Sequence, residues 1–393
     1  MDIIIHPSEL SGEISAPSSK SYAHRALICA ALADGVSRIG INTVSEDITA
    51  TVRCLEALGA EISINGKTFS VSPIKKPNIL PFLDCGESGS TLRFLLPVVC
   101  ALGTGAVFCG RGKLPERPLD ELRDELCRAG AQISAGFPLT VSGKLCKNEF
   151  SVSGEISSQF ASGILLSFCI NPGKLEVLLP VNSKPYIEMT AGMLRKFGAS
   201  VEKENNIYNV CGKCSGRELE IEGDWSNSLV WLASGVKVNG LYESSVQGDK
   251  KAALLLNSLG SGAVIDASDM PDSVPVLAAK AAVSEGKTVI TGASRLRFKE
   301  SNRLESTEKM LRSLGADITA SADGFIINGR PYLDGGCAET FGDHRIAFAA
   351  SFAAEKCRND VIIRNAECIN KSYPDFFEKY NLLGGKADVV QYR

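Results

Sequence analysis

The clearest pattern of hydrophobic and polar positions is a phrase that recurs along the chain. Each copy has apolar residues at helical spacing, then a glycine and a small residue, then a run typical of a strand. Glycine commonly ends a helix, because it adopts the left-handed conformation without a Cβ clash. The phrase is centred on Gly59, Gly130, Gly198, Gly260, Gly315 and, more weakly, Gly384.

These copies are separated by 71, 68, 62, 55 and 69 residues, which favours six similar βα units in a chain of 393 residues. Hairpin signals such as Asn65-Gly66 and Asp323-Gly324 follow several copies. A unit of this size buries too little surface to be stable alone, so we expect the units to pack three and three. The pattern therefore predicts a two-domain α/β protein, with the cleft between the domains as a natural ligand site.

Composition narrows the choice of partners. The chain is 44% hydrophobic and 22% charged, with a formal net charge of −3, so a general nucleic-acid binder is not indicated. The longest apolar stretch, residues 94–110, is interrupted by Pro97 and two glycines, and predicts a buried helix followed by a strand. We therefore expect neither a nucleic-acid partner nor a membrane partner.

The thirteen cysteines are odd in number and lack regular spacing, and no basic segment precedes the short apolar run at the N-terminus. These features favour reduced thiols in a cytoplasmic protein without a signal peptide. Cys211 and Cys214 form a CxxC pair, but in a β-rich stretch rather than at the start of a helix, and no second pair lies at zinc-site spacing. No metal and no cofactor are expected.

Three segments rich in serine or glycine come directly before apolar helical patterns: SSKSYAHR, CGESGSTLR and GEISSQF. Unpaired N–H groups at a helix N-terminus favour anions, and a nearby Lys or Arg strengthens the attraction. Each segment alone fits an ordinary capped helix as well. The residues that these segments contribute are Lys20, Ser21, Arg25, Gly89, Ser157, Ser158 and Gln159.

Further segments combine charged side chains with prolines or helix starts: ERP, NSKPY, MPDS, KESNR, GDHR and KSYPDFF. Two carboxylates beside Lys and Arg can form an acid–base set. Lys299 and Arg303 are four residues apart, so we expect them on one helix face. The residues that these segments contribute are Arg117, Ser183, Asp272, Lys299, Glu300, Arg303, Arg345 and Lys371.

Together and in this order, the motifs resemble those of the 5-enolpyruvylshikimate-3-phosphate synthase (3-phosphoshikimate 1-carboxyvinyltransferase) family. The resemblance runs through nearly the whole chain, from SKSYAHRAL to KSYPDFF. It implies an α/β (α+β) enolpyruvyltransferase fold of two domains, each with three βαβαββ units in pseudo-threefold symmetry. One domain would comprise residues 1–18 and 223–393 and the other residues 19–222, with the active site in the cleft between them.

That family transfers the enolpyruvyl group of phosphoenolpyruvate to the 5-hydroxyl of shikimate 3-phosphate and releases phosphate. By resemblance, Glu300 delivers a proton to the methylene carbon, and Asp272 or Lys20 assists removal of the hydroxyl proton. The shikimate 3-phosphate site would comprise Lys20, Ser21, Arg25, Ser157, Ser158, Gln159, Ser183, Asp272 and Lys299, and the inserted domain would bind much of this substrate. The phosphoenolpyruvate site would comprise Lys20, Gly89, Arg117, Gln159, Arg303, Arg345 and Lys371.

The residue types suit this chemistry. Both substrates carry a carboxylate and a phosphate, so several negative charges need Arg and Lys partners. The resemblance further implies a cytoplasmic monomer in aromatic amino-acid biosynthesis, with these two small molecules as its partners. Two positions depart from the common pattern: Glu87 and Gly342 each stand where Asn is frequent.

Two alternatives stay open at this stage. The sister enzyme that acts on UDP-N-acetylglucosamine also uses phosphoenolpyruvate, but has Asn after its helix-start Lys and a Cys five residues before its Arg-Pro. Here Ser21 follows Lys20, Gly112 lies five residues before Arg117, and Cys109 is displaced by three. A non-catalytic anion-binding scaffold is the other alternative, and it would not need the carboxylate of Glu300.

Overall fold

A computed structural model describes residues 1–391 of the chain. Its helices in that range are α1 Lys20–Ala31, α2 Glu46–Leu58, α3 Gly89–Leu102, α4 Asp120–Arg128, α5 Ser158–Ser167, α6 Lys184–Lys196, α7 Trp225–Ala233, α8 Lys250–Leu255, α9 Val274–Ala282, α10 Arg303–Ser313, α11 His344–Glu355 and α12 Phe376–Leu382. Short 3₁₀ helices lie at Leu114–Glu116, Leu256–Ser258, Pro271–Ser273, Ser294–Phe298 and Ala366–Lys371.

The strands of the described residues are short. They are β1 Ile3–His6, β2 Glu13–Ser15, β3 Ser37–Gly40, β4 Glu61–Asn65, β5 Thr68–Ser72, β6 Phe82–Asp84, β7 Ala106–Cys109, β8 Ala131–Ile133, β9 Leu139–Gly143, β10 Glu149–Ser153, β11 Gly173–Leu178, β12 Ser200–Glu204, β13 Ile207–Cys211, β14 Glu218–Glu220, β15 Lys237–Asn239, β16 Ser261–Asp266, β17 Gly286–Thr291, β18 Asp317–Ala320, β19 Phe325–Gly329, β20 Gly336–Glu339, β21 Val361–Arg364 and β22 Lys386–Val389.

Contacts divide the chain into two compact units. The first unit comprises Met1–Pro17 and the described residues from Gly223 onward, and the second comprises Ser18–Glu222. The N-terminal boundary therefore falls one residue before the one we expected, which placed Ser18 with the first unit. Residues 392 and 393 of the expected first domain lie outside the described range.

One strand order recurs in five of the sheets in residues 1–391. In the sheet β6-β7-β9-β8, the first pair is parallel and both later pairs are antiparallel. The second unit repeats this order as β10-β11-β13-β12 and β14-β3-β5-β4, and the first unit as β16-β17-β19-β18 and β20-β21-β1-β22. In β6-β7-β9-β8 the parallel pair is connected by α3 and the pair β8–β9 forms a hairpin, which makes a βαβαββ repeat. The sheets β14-β3-β5-β4 and β20-β21-β1-β22 have the same order, but β14 and β1 join them from distant parts of the chain. The predicted fold class is confirmed.

The sixth repeat is incomplete. Strands β2 and β15 form a parallel pair, but no hairpin joins this sheet in the described residues. Only ten residues separate β15 from α8, and the chain then enters β16 of the next repeat. The phrase around Gly260 is thus not equivalent to the other copies, because the strand after it pairs in parallel with β17 instead of starting a hairpin. A helix end followed by a β-branched run does not show whether the next strand pairs in parallel or starts a hairpin.

One helix of each repeat is buried on nearly every face. In the second unit α1, α3 and α5 contact one another pairwise, and in the first unit α7, α9 and α11 do the same. These helices consist mainly of apolar and small residues, which explains their burial all round. Helices such as α2 and α6 keep polar residues on an outer face. Each unit is therefore built around a triangle of buried helices.

The tightest crossing in the second unit joins α3 to α5. Pro97 lies inside α3 and has no N–H, so the carbonyl of Arg93 loses its helical donor. Gly163 of α5 packs against that carbonyl so closely that a Cβ at position 163 would lie 2.1 Å from it. Only glycine permits this approach, which fixes the backbone of Arg93 against α5.

Among the helices of residues 1–391, none has both the length and the apolar character that crossing a bilayer requires.

Burial of Glu355 makes the stability of the first unit depend on pH. This residue ends α11 and is 7% exposed, and it accepts a hydrogen bond from Ser234 Oγ at 2.8 Å. Burial raises the pKa of Glu355 to about 8, despite Ser234, Lys356 and Lys280. Because the folded state holds this proton more tightly than the unfolded state, stability falls as pH rises from about 4.5 to about 8.

We therefore expect Glu355→Gln to be more stable than the parent chain at pH 9, by up to roughly 5 kcal/mol, and about equally stable at pH 4. Urea unfolding at both values of pH measures the difference. Glu378→Gln, on the exposed face of α12, is the matched control and should show no such dependence. Equal stability of Glu355→Gln and parent at pH 9 would contradict the assignment.

Candidate functional site

Several of the predicted residues of the second unit lie at the N-terminal ends of its three buried helices. Ser88 caps α3 by accepting a hydrogen bond from Thr91 N, and Ser157 caps α5 by accepting one from Gln159 N. Ser19 precedes α1, whose first residue is Lys20. These caps are neutral, and none of the three helices has an acidic residue in its first turn. The positive ends of three helix dipoles thus carry no capping carboxylate.

Arg25 is fixed in the interior among α1, α5 and α6. It is 2% exposed, and its guanidinium donates to Thr190 Oγ1 at 2.7 Å, to Ser162 Oγ at 3.1 Å and to the carbonyls of Ser21 and Tyr186. Four of its five N–H donors are therefore used within the protein. Burial lowers the pKa of Arg25 to about 10, and no carboxylate in residues 1–391 forms an ion pair with it. It is a rigid positive charge with one donor to offer.

Arg93 and Arg117 lie against the first residue of α3. A Cβ at Gly89 would lie 2.9 Å from one Nη1 atom of each arginine, so the glycine lets both guanidinium groups approach the helix N-terminus. Arg93 donates to Gln159 Oε1 at 2.8 Å, and Gln159 Nε2 donates to Ser90 Oγ at 3.0 Å. Gln159 is thereby oriented from α3, although it belongs to α5.

Lys20 forms an ion pair with Asp47, with 2.7 Å between Nζ and Oδ2. Both side chains are largely buried, at 14% and 13% exposure. Asp47 comes from the first turn of α2, and sequence reasoning gave no sign of it. The ammonium group of Lys20 is therefore held in place by a carboxylate before any substrate arrives.

The predicted serines of the second unit lie at three helix starts. Ser157 is the N-cap of α5 and Ser158 is its first residue, while Ser183 precedes α6 in the left-handed conformation at φ +52°. Ser21, the second residue of α1, is half-buried. A further chain of hydrogen bonds joins His24 to Thr51, Thr91 and Ser88, with three successive contacts of 2.7 Å. This chain connects α1, α2 and α3, so His24 has a structural role.

The first unit carries a cluster around one buried guanidinium. Arg303, 1% exposed, lies 2.7 Å from a carboxylate oxygen of each of Asp272, Glu300 and Asp343. A second contact of 3.2 Å joins Nη2 to Asp343, so four of the five N–H donors are used. Burial lowers the pKa of Arg303, but Asp343, Glu300 and Asp272 outweigh it and raise that pKa above its usual value.

Asp272 connects this cluster to two more cations. Its carboxylate lies 3.3 Å from Lys299 Nζ and 3.6 Å from Arg345 Nη2. Burial raises the pKa of Asp272, but Lys299, Arg345 and Arg303 outweigh it and hold the pKa well below its usual range. Asp272 is therefore ionised at neutral pH. It is a hydrogen-bond acceptor that does not readily take up a proton from a hydroxyl group.

Lys299 and Arg303 do not share a helix face, and that expectation is wrong. The structure ends a 3₁₀ helix at Phe298 and starts α10 at Arg303, so Lys299 lies in the connecting segment. Asn302 caps α10 by accepting from Glu305 N, and this cap sets the helix start. The two cations converge instead through their shared partner Asp272.

Arg345 joins the starts of all three buried helices of the first unit. It is the second residue of α11, lies near Asp272 before α9, and donates to Asn227 Oδ1 and Ser226 Oγ of α7 at 2.9 and 2.8 Å. The buried atoms Arg345 Nε and Asn227 Nδ2 have no hydrogen-bond partner in the described residues.

Lys371 is positioned by an aromatic cluster. Its Nζ donates to the carbonyl of Gly342 at 2.8 Å, a residue with φ +69°. Two residues later, Tyr373 packs edge-on against Trp231 at 6.2 Å, and Phe376 stacks on Trp231 at 4.6 Å. The apolar residues of the KSYPDFF motif thus belong to the core, and the lysine is the part that is left half-buried at the surface of the unit.

In the first unit the structure gathers Asp272, Lys299, Glu300, Arg303 and Arg345 into one cluster, whereas in the second unit the contacts described above are separate ones. The structure also adds several residues that sequence reasoning missed. Asp343 caps α11 by accepting from Arg345 N at 2.9 Å and was visible only as part of the DHR motif. Arg93 had a signal as the arginine one turn into the helix that follows the CGESGST segment, but it was not predicted as a site residue. The other additions, which carried no motif, are Asp47, Thr190, Ser226 and Asn227.

Among the described residues, neither group of site residues contains a set of side chains that is spaced to hold a metal ion. Within residues 1–391, the one group of three or more His, Cys, Asp or Glu side chains spaced to hold a metal ion is a cysteine trio outside both groups. What the two groups offer is charge and proton chemistry: cations at helix starts, and carboxylates held by Arg303.

Comparison with known proteins agrees with this architecture. The family model of EPSP synthase (3-phosphoshikimate 1-carboxyvinyltransferase) matches residues 4–268 and 257–380. A solved EPSP synthase from Acinetobacter baumannii has the same fold, with a TM-score of 0.81 at 24% identity over 99% of this chain and 100% of that one. The repeated βαβαββ units therefore define the enolpyruvyltransferase class of fold.

Curated relatives with higher sequence identity show which family of this class the chain belongs to. The 3-phosphoshikimate 1-carboxyvinyltransferase of Clostridium kluyveri is 39% identical over 421 residues, covering 98% of both chains. That of Clostridium acetobutylicum is 40% identical over 417 residues, covering 97% of both. The chain belongs to the EPSP synthase family.

Removing the central guanidinium should be costly. Arg303→Gln leaves three carboxylates near one another in a buried place, so we expect a loss of about 3–5 kcal/mol in the free energy of unfolding. Arg312→Gln, on the same helix but 62% exposed, is the matched control and should change stability by about 0.5 kcal/mol or less. Urea unfolding measures both, and equal midpoints for Arg303→Gln and the parent chain would show that the cluster is not structural.

Proposed function

We propose that the chain catalyses transfer of the enolpyruvyl group of phosphoenolpyruvate to the 5-hydroxyl of shikimate 3-phosphate, with release of phosphate. The observation that carries this proposal is the match to 3-phosphoshikimate 1-carboxyvinyltransferases over 98% of the chain. The reaction is a step of aromatic amino-acid biosynthesis. The chain acts as a monomer in the cytoplasm, and both units contribute residues to the reaction.

The second unit supplies most contacts to shikimate 3-phosphate. Ser157, Ser158 and Ser183 bind its phosphate, because neutral helix starts offer N–H and hydroxyl donors to an anion. Arg25 and Ser21 hold its carboxylate, with the remaining N–H of Arg25 as the donor. Gln159 contacts the ring or a hydroxyl, since Arg93 and Ser90 already fix its orientation. The first unit adds Asp272 and Lys299 to the same substrate.

Phosphoenolpyruvate is neutralised by cations of both units. The contributors are Lys20, Arg117 and the N–H groups near Gly89 in the second unit, and Arg303, Arg345 and Lys371 in the first. Arg345 supports this assignment, because its Nε and the neighbouring Asn227 Nδ2 are buried donors without a partner. Arg303 has one N–H left, so its main effect is to hold Glu300 in place.

Proton transfer is assigned to Glu300. A proton added to the methylene carbon of phosphoenolpyruvate makes the adjacent carbon electron-poor, and the substrate hydroxyl attacks there. Loss of phosphate and of one proton from the new methyl group then gives the enolpyruvyl ether. Asp272 is surrounded by cations, so we assign it to orienting the hydroxyl. The hydroxyl proton passes to Lys20 in its neutral amine form, which Asp47 holds in place, and the proton lost from the methyl group returns to the carboxylate of Glu300.

Steady-state phosphate release from the full chain tests the activity. We expect release that requires phosphoenolpyruvate and shikimate 3-phosphate together, and none with UDP-N-acetylglucosamine. The relatives described above are named for the activity with shikimate 3-phosphate. Ser21 after Lys20 also favours that activity over the one with the nucleotide sugar. Turnover with the nucleotide sugar alone would overturn the proposal.

Glu300→Gln distinguishes an enzyme from an anion-binding scaffold. We expect kcat to fall by about 10²–10⁴-fold, because general acid–base catalysis contributes about that much, while binding of shikimate 3-phosphate is kept. The matched control is Glu305→Gln, two residues into α10, where the carboxylate is 52% exposed and paired with Lys309. If both variants turn over like the parent chain, the carboxylate of Glu300 has no catalytic role.

Gly89→Ala tests the phosphoenolpyruvate assignment by geometry. The added Cβ would press on the guanidinium groups of Arg93 and Arg117, so both must move from the helix start. We expect the KM for phosphoenolpyruvate to rise by about tenfold, equivalent to about 1.4 kcal/mol, and the KM for shikimate 3-phosphate to rise less, because Arg93 also orients Gln159. Gly192→Ala, a helical glycine with open space around it, is the control. An unchanged KM for phosphoenolpyruvate in Gly89→Ala would count against Arg117 as its ligand.

A further inference from the structure

Three buried cysteines meet in the second unit, outside the groups described above. Cys29 lies in the last turn of α1, Cys169 follows the end of α5, and Cys214 lies between β13 and β14. Their Sγ atoms all lie within 4.8 Å of one another, and 2.9 Å separates those of Cys169 and Cys214. Three segments distant in sequence thus bring three soft donor atoms to one point.

Cys214 is held there by its own backbone. Its carbonyl accepts from Asp34 N at 2.9 Å, the next residue Ser215 donates from N to the carbonyl of Phe197 at 2.7 Å, and Gly216 N donates to Asp34 Oδ1 at 3.2 Å. These bonds tie the segment to the turn after α1 and to the end of α6. The thiol of Cys214 is therefore oriented inward by a rigid connection, and it is fully buried at 0% exposure.

The surroundings favour a cation at this point. Cys29 and Cys169 lie at the C-terminal ends of α1 and α5, where the helix dipole is negative.

We propose that Cys29, Cys169 and Cys214 bind one thiophilic d¹⁰ cation, Zn(II) or Cu(I), as a structural site. Binding breaks the S–H bonds of the protonated thiols, releases those protons to solvent and forms three metal–sulfur bonds without any change of oxidation state. The trio joins the first repeat of the second unit to its third, so the ion fastens α1, α5 and the connection before β14. This assignment revises the expectation of no metal, which rested on the unpaired CxxC motif.

The number of ligands favours Cu(I), whereas the net charge of the site favours Zn(II). Structural zinc sites almost always have four protein ligands, whereas this group has three among the described residues. Three thiolates alone leave a charge of −1 with Zn(II) and −2 with Cu(I), and burial disfavours the larger charge. Soft thiolates select both ions over harder cations such as Mg²⁺. The shared chemistry is therefore thiolate ligation, and separate titrations identify the ion.

The test uses the full chain, purified under reducing and anaerobic conditions, stripped with a chelator and unfolded and refolded with Zn(II) or with Cu(I). Elemental analysis after gel filtration should show one ion per chain for one of the two metals. That metal should raise the urea midpoint of the parent chain, and it should release protons, seen as a buffer-dependent binding enthalpy. These readouts need no variant.

Variants locate the site. Cys29→Ser, Cys169→Ser and Cys214→Ser should each lose the bound ion and its effect on the midpoint. Cys211→Ser, the other cysteine of the CxxC pair, and Cys100→Ala, a buried cysteine of α3 outside the trio, should keep both.

Two results would overturn the proposal. The first is a parent chain that binds neither ion beyond the level of Cys214→Ser, which would make the trio ordinary core packing. The second is a metal-free chain that loses two hydrogens in mass on treatment with oxidised glutathione, with Cys169 linked to Cys214. That outcome would identify a disulfide pair in place of a metal site.

Discussion

The buried guanidinium of Arg303 is the contact on which the first unit depends most. An ion taken out of water is stable only if its partners replace the lost hydration, and three carboxylates do so here. With Lys299 and Arg345 beside Asp272, three carboxylates face three cations. The cluster is therefore close to neutral, rigid and able to hold Glu300 in a fixed place. A glutamate on an open surface would not be held in a fixed place by such partners.

The two units share one architecture but differ in the charge of the residues that cap their buried helices. Asp343 caps α11 and Asp224 caps α7 in the first unit, whereas Ser88 and Ser157 cap the equivalent helices of the second. Each of these caps satisfies a backbone N–H, but an acidic cap also supplies negative charge, whereas a neutral cap leaves the positive end of the helix dipole to an anionic ligand. This difference supports the proposal that the second unit binds the phosphorylated substrate and that the first organises carboxylates for proton transfer.

Much of this could be predicted from the sequence, because the determinants are local. Helix-ending glycines and the strands after them gave the repeat, and serine-rich segments gave the starts of α1, α3 and α5. Resemblance to a family then supplied roles that no single motif could. What failed depends on contacts between distant segments. The hairpin missing after β15 is a matter of connection length that the phrase around Gly260 does not encode, and the Lys299–Arg303 relation depends on where Asn302 caps α10.

Other features were beyond sequence reasoning for the same reason. Asp47 reaches Lys20 across 27 positions, and Ser226 and Asn227 reach Arg345 across more than 100. The three cysteines share no spacing rule, since α1, α5 and the segment before β14 come together only through the packing of the repeats. Pairings of this kind follow from the fold and not from any short motif.

The central claim is that Glu300, held by Arg303, adds a proton to the methylene carbon of phosphoenolpyruvate. The most direct test runs the reaction in D₂O and examines the vinyl group of the product by NMR and mass spectrometry. The account predicts deuterium at the vinyl methylene carbon with the parent chain. A product formed by the parent chain in D₂O with no deuterium at that carbon would contradict it, because no proton from an exchangeable carboxyl group would then have been added.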